Sequence, residues 1–184
     1  MYLKLVQDRE PVPVTDIWQA AIPLKVRIFL WQFARGRLPS NDQIVLRHGP
    51  SDGQCALCEV PEDASHIFFS CALARFVWSG LREELHVSWA PDAYSDVLRI
   101  LEGFKGKRRR VLRVLFAAVC WGLWLIRNNF TIERKFPNQP ADCFFKILIL
   151  LQHWRPLLKA DLALLLDVLV ASLKKLFVAS NPRT

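Results

Sequence analysis

The residues with the clearest chemical capacity are Cys55 and Cys58, followed by His66 and Cys71, in the pattern C-x2-C-x7-H-x4-C. Zinc takes four thiolate or imidazole donors in a tetrahedron, and a two-residue spacer lets one tight turn bring two sulfurs to the same ion. His66 and Cys71 are five positions apart, which on a regular α-helix separates them by about 140°. The pattern works if His66 sits on the last turn of a helix and Cys71 lies just beyond its end. Four protein ligands complete the tetrahedron, so the expectation is one structural Zn²⁺ held by Cys55, Cys58, His66 and Cys71. The His-x-Glu and Pro-Cys-x2-Cys combination of nucleic-acid deaminases is absent. Cys120 and Cys143 fall in apolar stretches and read as buried, inert thiols.

A second constellation is the run Lys105, Lys107, Arg108, Arg109 and Arg110. Such a run can neutralise several phosphates and release their counterions, which makes RNA or DNA the expected partner. It also fits a solvated loop before a helix, or a nuclear-import signal. Lys25, Arg27, Arg35, Arg37 and Arg47 scatter further positive charge around the cysteines. Glu62-Asp63 and Glu83-Glu84 are expected to be solvated helix-surface charges. With no Gly-rich phosphate loop, nucleophile elbow or His-Glu-x2-His, neither enzymatic activity nor a small-molecule substrate is expected.

The elements that must position these groups follow from the apolar pattern. The chain has 184 residues, 52% hydrophobic and 23% charged, with a net charge of +8 and a pI near 9.6. That composition supports one ordinary domain with an appended helical segment. Five cysteines and an early charged N-terminus predict an intracellular protein with reduced thiols. Val114 to Ile126 is shorter than the roughly 20 residues of a membrane span, so no membrane partner is expected. The mean hydropathy of +0.17 still leaves apolar surface to spare for a partner.

Pro11 and Pro13 predict an extended or irregular stretch over residues 1 to 16. Val26, Phe29, Leu30 and Phe33 recur at helical spacing from Pro23 to about Gly36. Ser40 and Gln43 suggest a capping box opening a short helix to Arg47. Residues 64–71 and 73–85 predict two further helices, the second burying Phe76, Val77, Leu81 and Leu85. A long helix should run from Val111 to about Lys135, and two more, broken at Pro156, from Asp142 to Ala179. Trp18, Trp31, Trp78, Trp121 and Trp124 are expected in the core, with Trp31, Phe33, Phe69 and Trp78 packed together beside the metal turn. The predicted class is mainly α, a small zinc-stabilised helical domain followed by a long helix and C-terminal helices. Its parts are a zinc-binding domain at 1–90, a basic linker at 91–110 and a C-terminal helical region at 111–184.

Several ordered motifs together resemble a known family. They are Ile22-Pro-Leu-Lys-Val-Arg-Ile-Phe-Leu-Trp31, Gly36-Arg-Leu-Pro-Ser-Asn-Asp42, Cys55-x2-Cys58, His66-Ile-Phe-Phe-Ser-Cys71 and Ala74-Arg-Phe-Val-Trp78. This succession is similar to the zinc-binding domain of plant non-LTR (LINE-type) retrotransposon reverse transcriptases, over about Tyr2 to Leu85. Trp121-Gly-Leu-Trp124-Leu-Ile-Arg127-Asn128 looks like the helix that commonly follows that domain, and residues 141 to 184 resemble nothing in it. The resemblance implies a non-catalytic, nucleic-acid-binding module detached from its polymerase. Tyr94-Ser-Asp96-Val lacks the paired aspartates of a polymerase Mg²⁺ site. The competing expectation is a helical module that packs against a reverse-transcriptase domain or against itself, or a remnant without function.

Overall fold

Apolar residues three and four apart decide which way each helix of this chain faces. The computed structural model describes residues 15–87, 90–137, 139 and 141–179. The expectation for the first fourteen residues, Pro11 and Pro13 included, lies outside the described residues, as do the side chains of Glu83 and Glu84. After a short α1 (Thr15–Gln19), Pro23 opens α2 (Leu24–Ala34), which buries the predicted stripe Val26, Phe29, Leu30 and Phe33. α3 (Asn41–Leu46) follows Ser40, but the capping box does not form. The Ser40 hydroxyl is taken by the Asp42 carboxylate and the Gln43 amide by the same side chain, leaving neither for the helix start.

α4 (Ala72–Leu85) buries Val77, Trp78, Leu81 and Leu85 as expected, but Phe76 is partly exposed, its ring against Phe144. α5 (Tyr94–Glu102) and the start of α6 (Gly106–Glu133) occupy the stretch expected as a basic linker. Tyr94, Val97, Leu98 and Leu101 have helical spacing, and Val97, Ile100 and Leu101 are buried. α7 (Ala141–Trp154), a 3₁₀ turn (Arg155–Leu157) and α8 (Ala160–Ala179) place the break at Pro156. Among the described residues there is no strand, only an isolated bridge between Gln54 and Pro61, and the fold is mainly α.

α6 is the axis of the core, packed by α2, α4, α5, α7 and α8. By length and composition it could cross a membrane, yet 78% of its most apolar window is buried inside the fold, as in a core helix. Cys120 and Cys143 are fully buried, and burial raises both thiols, Cys143 to about 11. Phe68, rather than Trp31, centres the aromatic cluster. Its ring centroid lies 4.6 Å from Phe33, 5.8 Å from Phe29 and 6.5 Å from Trp124. Phe69 stacks near Trp78, whose indole N–H donates to the Phe68 carbonyl at 2.7 Å. Trp31 is half-buried and Trp18 is 44% exposed.

One polar contact ties α6 to the cysteine-bearing loop. Glu62, expected on a solvated surface, is 1% exposed and accepts the Arg127 guanidinium at 2.5 Å. Arg127 also donates to Asn41 Oδ1 at 3.0 Å, and the Asn41 backbone N–H donates to Glu62 at 3.1 Å. The Asn41 amide reaches the Gln54 carbonyl, one residue before Cys55. A buried carboxylate stripped of its partner is costly, so Arg127→Ala should destabilise the fold by roughly 3 to 5 kcal/mol. Urea unfolding should also show the Arg127→Ala, Glu62→Ala double variant destabilised by less than the sum of the singles. Additive effects would mean that the pair carries no coupling.

Candidate metal centre

The loop from Gly53 to Glu62 folds back on itself through backbone bonds. Glu62 N–H donates to the Gly53 carbonyl at 2.9 Å, and Cys55 N–H to the Val60 carbonyl at 2.8 Å. Glu59 N–H closes the turn on the Cys55 carbonyl at 2.8 Å, with Glu59 itself at φ 58° in the left-handed region. Cys55 and Cys58 are thus brought to one side of a single tight turn.

The other two groups come from a π turn, His66–Ser70. His66 opens this turn instead of ending a helix, and Cys71 N–H donates back to the His66 carbonyl at 2.8 Å. That bond spans five residues, so Cys71 is stacked over His66 where an α-helix would swing it away. Asp63 holds the start of the turn by accepting the His66 N–H at 2.6 Å. Asp63 itself is exposed and, like Glu62, lies outside any named helix.

Cys55, Cys58, His66 and Cys71 offer ligand atoms that all lie within 4.8 Å of one another. Zn–S and Zn–N bond lengths imply tetrahedron edges of about 3.3 to 3.8 Å, so a small contraction would seat an ion. His66 Nε2 is already 3.2 Å from Cys58 Sγ, and Nδ1 faces the Ser70 hydroxyl at 3.4 Å. That orientation leaves Nε2 as the ligand atom, with Ser70 accepting from Nδ1–H. Backbone N–H groups point at every sulfur, those of Leu57 and Cys58 at Cys55, Val60 at Cys58 and Leu73 at Cys71. Such donors favour thiolates.

Without a cation the three sulfurs cannot all ionise side by side. The hydrogen bond from the Cys71 thiol draws Cys55 down to about 4. Cys71 is pushed well up by donating that bond and by burial, and burial together with the neighbouring Cys55 raises Cys58. A divalent ion would remove this conflict and let all three become thiolates.

The basic residues lie elsewhere. Lys105 precedes α6, and Lys107, Arg108, Arg109 and Arg110 form its first turn, where there is no acidic residue. Lys107 pairs with Asp161 at 3.0 Å, Arg108 lies 5.1 Å over the Phe104 ring, and Arg109 is half-buried. Along α6 the run is about 28 Å from Arg127 at 1.5 Å per residue, so the structure does not bring it to the metal loop. Glu62, Asn41 and Arg127, which hold that loop, escape a reading by local spacing because the pair is 65 positions apart. The available signal is a lone arginine closing the apolar run of α6.

Residues 1–78 match the family described as zinc-binding in reverse transcriptase, a span that includes all four candidate ligands. No curated protein and no solved structure matches the chain.

Binding at this site must displace the protons of Cys58 and Cys71, so zinc affinity should fall as the pH is lowered. Cys71→Ser should weaken it further at every pH. Competition titration with a chromophoric chelator reads both effects, and a pH-independent affinity would contradict the arrangement.

Proposed function

We propose that this chain is a non-catalytic module built around one structural Zn²⁺, derived from a LINE-type retrotransposon reverse transcriptase, that binds the phosphate backbone of RNA or DNA. The convergence of Cys55, Cys58, His66 and Cys71, each sulfur facing backbone donors, carries the zinc part of this reading. Four protein donors fill a tetrahedron, which leaves the ion to hold the loop and not to turn over a substrate.

The nucleic-acid part rests on the start of α6. A helix N-terminus is the positive end of its dipole, and cations there repel it. Lys107, Arg108, Arg109 and Arg110 place four at that end with no acidic residue in the first turn. Asp161 answers the charge of Lys107. A phosphate would relieve the rest of the repulsion and accept from the backbone N–H groups that open the helix as well as from side chains. A basic run of this kind also fits a nuclear protein. A second reading, a helical module that docks on protein, is favoured by the exposed apolar residues of α8.

Replacing Lys107, Arg108, Arg109 and Arg110 with Ala should weaken binding to all sequences alike. The log K versus log salt slope should shrink by up to about 0.7 to 0.9 for each phosphate that the variant no longer neutralises. Lys107 and Asp161 are both well exposed, so breaking their pair should leave the helical circular dichroism unchanged. Unchanged affinity and salt slope would remove this run from the interface.

A further inference from the structure

α8 turns one face onto the core through Leu162, Leu166, Leu169, Val170 and Leu173, and a second apolar stripe onto solvent. Along that outer face Asp161, Leu164, Val168, Ala171 and Lys175 alternate in steps of three and four, and all are exposed. Leu164 is 64% and Val168 66% exposed, and the two lie one turn apart on the same face. The spacing is that of a coiled-coil seam, with Asp161, Val168 and Lys175 as one set of knobs and Leu164 and Ala171 as the other. Asp167 and Lys174 flank the seam on one side, also exposed.

The charges select the occupant. Parallel pairing of α8 with a copy of itself would set Asp161 beside its own copy and Lys175 beside its own. Antiparallel pairing reverses the second helix and brings acidic residues to basic ones. Two antiparallel registers keep the apolar layers. If Leu164 faces the copy's Val168, Asp167 meets Asp167. If Val168 faces the copy's Ala171, Asp167 meets Lys174 at two symmetric places, and the Lys175 stem covers Leu164. Asp167 already accepts Arg155 at 2.7 and 2.8 Å, which holds its carboxylate in place at the edge of the seam.

We propose that the outer stripe of α8 is a self-association surface, on which a second copy of this chain docks its own α8 antiparallel, with Val168 opposite Ala171 and Asp167 opposite Lys174. Two-fold symmetry makes one patch sufficient for both partners. The seam is separate from the metal loop and meets the basic run only at its end, where Asp161 pairs with Lys107. The contacts of Val168, Ala171, Asp167 and Lys174 therefore stand whether or not the chain binds nucleic acid.

Sedimentation of the zinc-loaded full chain over a wide concentration range tests this. The wild type should form a dimer, and Val168→Glu should abolish it while the helical circular dichroism stays unchanged. Lys174→Asp and Asp167→Lys should each weaken the dimer by setting like charges opposite, and the two together should restore it. A chain that is monomeric at every concentration overturns the proposal and leaves the stripe to a different protein. A dimer indifferent to Val168→Glu also overturns it, and one that the double exchange fails to restore rejects the antiparallel register.

Discussion

Burying a carboxylate to 1% exposure is costly unless a cation comes to it, and in this chain the cation comes from 65 residues away. Arg127 reaches Glu62 from the far end of α6, and Glu62 in turn fixes the backbone of Asn41 and closes the loop base on Gly53. The cysteine turn therefore hangs from the core helix by a charge pair as well as by the aromatic packing beneath it. Removing two such charges from water costs several kcal/mol for each, so the contact is tolerable only because hydrogen bonds on both sides complete it. Here they do, through Asn41 and Asn128.

The second constraint is local. A histidine and a cysteine five positions apart point in different directions on an α-helix, and the π turn solves this by changing the hydrogen-bond span. Its cost is a poorer helix over five residues, offset by Asp63 at its start and by Trp78 donating to the Phe68 carbonyl inside it. Ile67, Phe68 and Phe69 are all buried by the turn, so the segment that presents His66 and Cys71 to the cysteine turn also supplies the centre of the core.

Much of this was legible because it is local. The stripe Val26, Phe29, Leu30 and Phe33, the break at Pro156 and the four donor residues each follow from spacing within a few turns of chain. α5 carried the same signal in Tyr94, Val97, Leu98 and Leu101, but the neighbouring charge run suggested a linker, and packing on α6 decided otherwise. The Ser40 box failed because Asp42 competes for the same hydroxyl, a contest that spacing does not rank. Glu62 could not be placed by any local rule, since only the position of Arg127 tells whether that carboxylate is wet or paired.

The family similarity stops at residue 78, within α4, while the packing does not. Phe29 meets Trp121 at 5.0 Å and Trp124 at 5.8 Å, and Glu62 meets Arg127, all across that limit. A recombinant piece ending there would expose the underside of the aromatic cluster and leave Glu62 without Arg127. The recognisable stretch and the autonomous folding unit are different objects in this protein. Such a piece needs α6, and α6 is packed in turn by α7 and α8, so the boundary for expression belongs beyond α8.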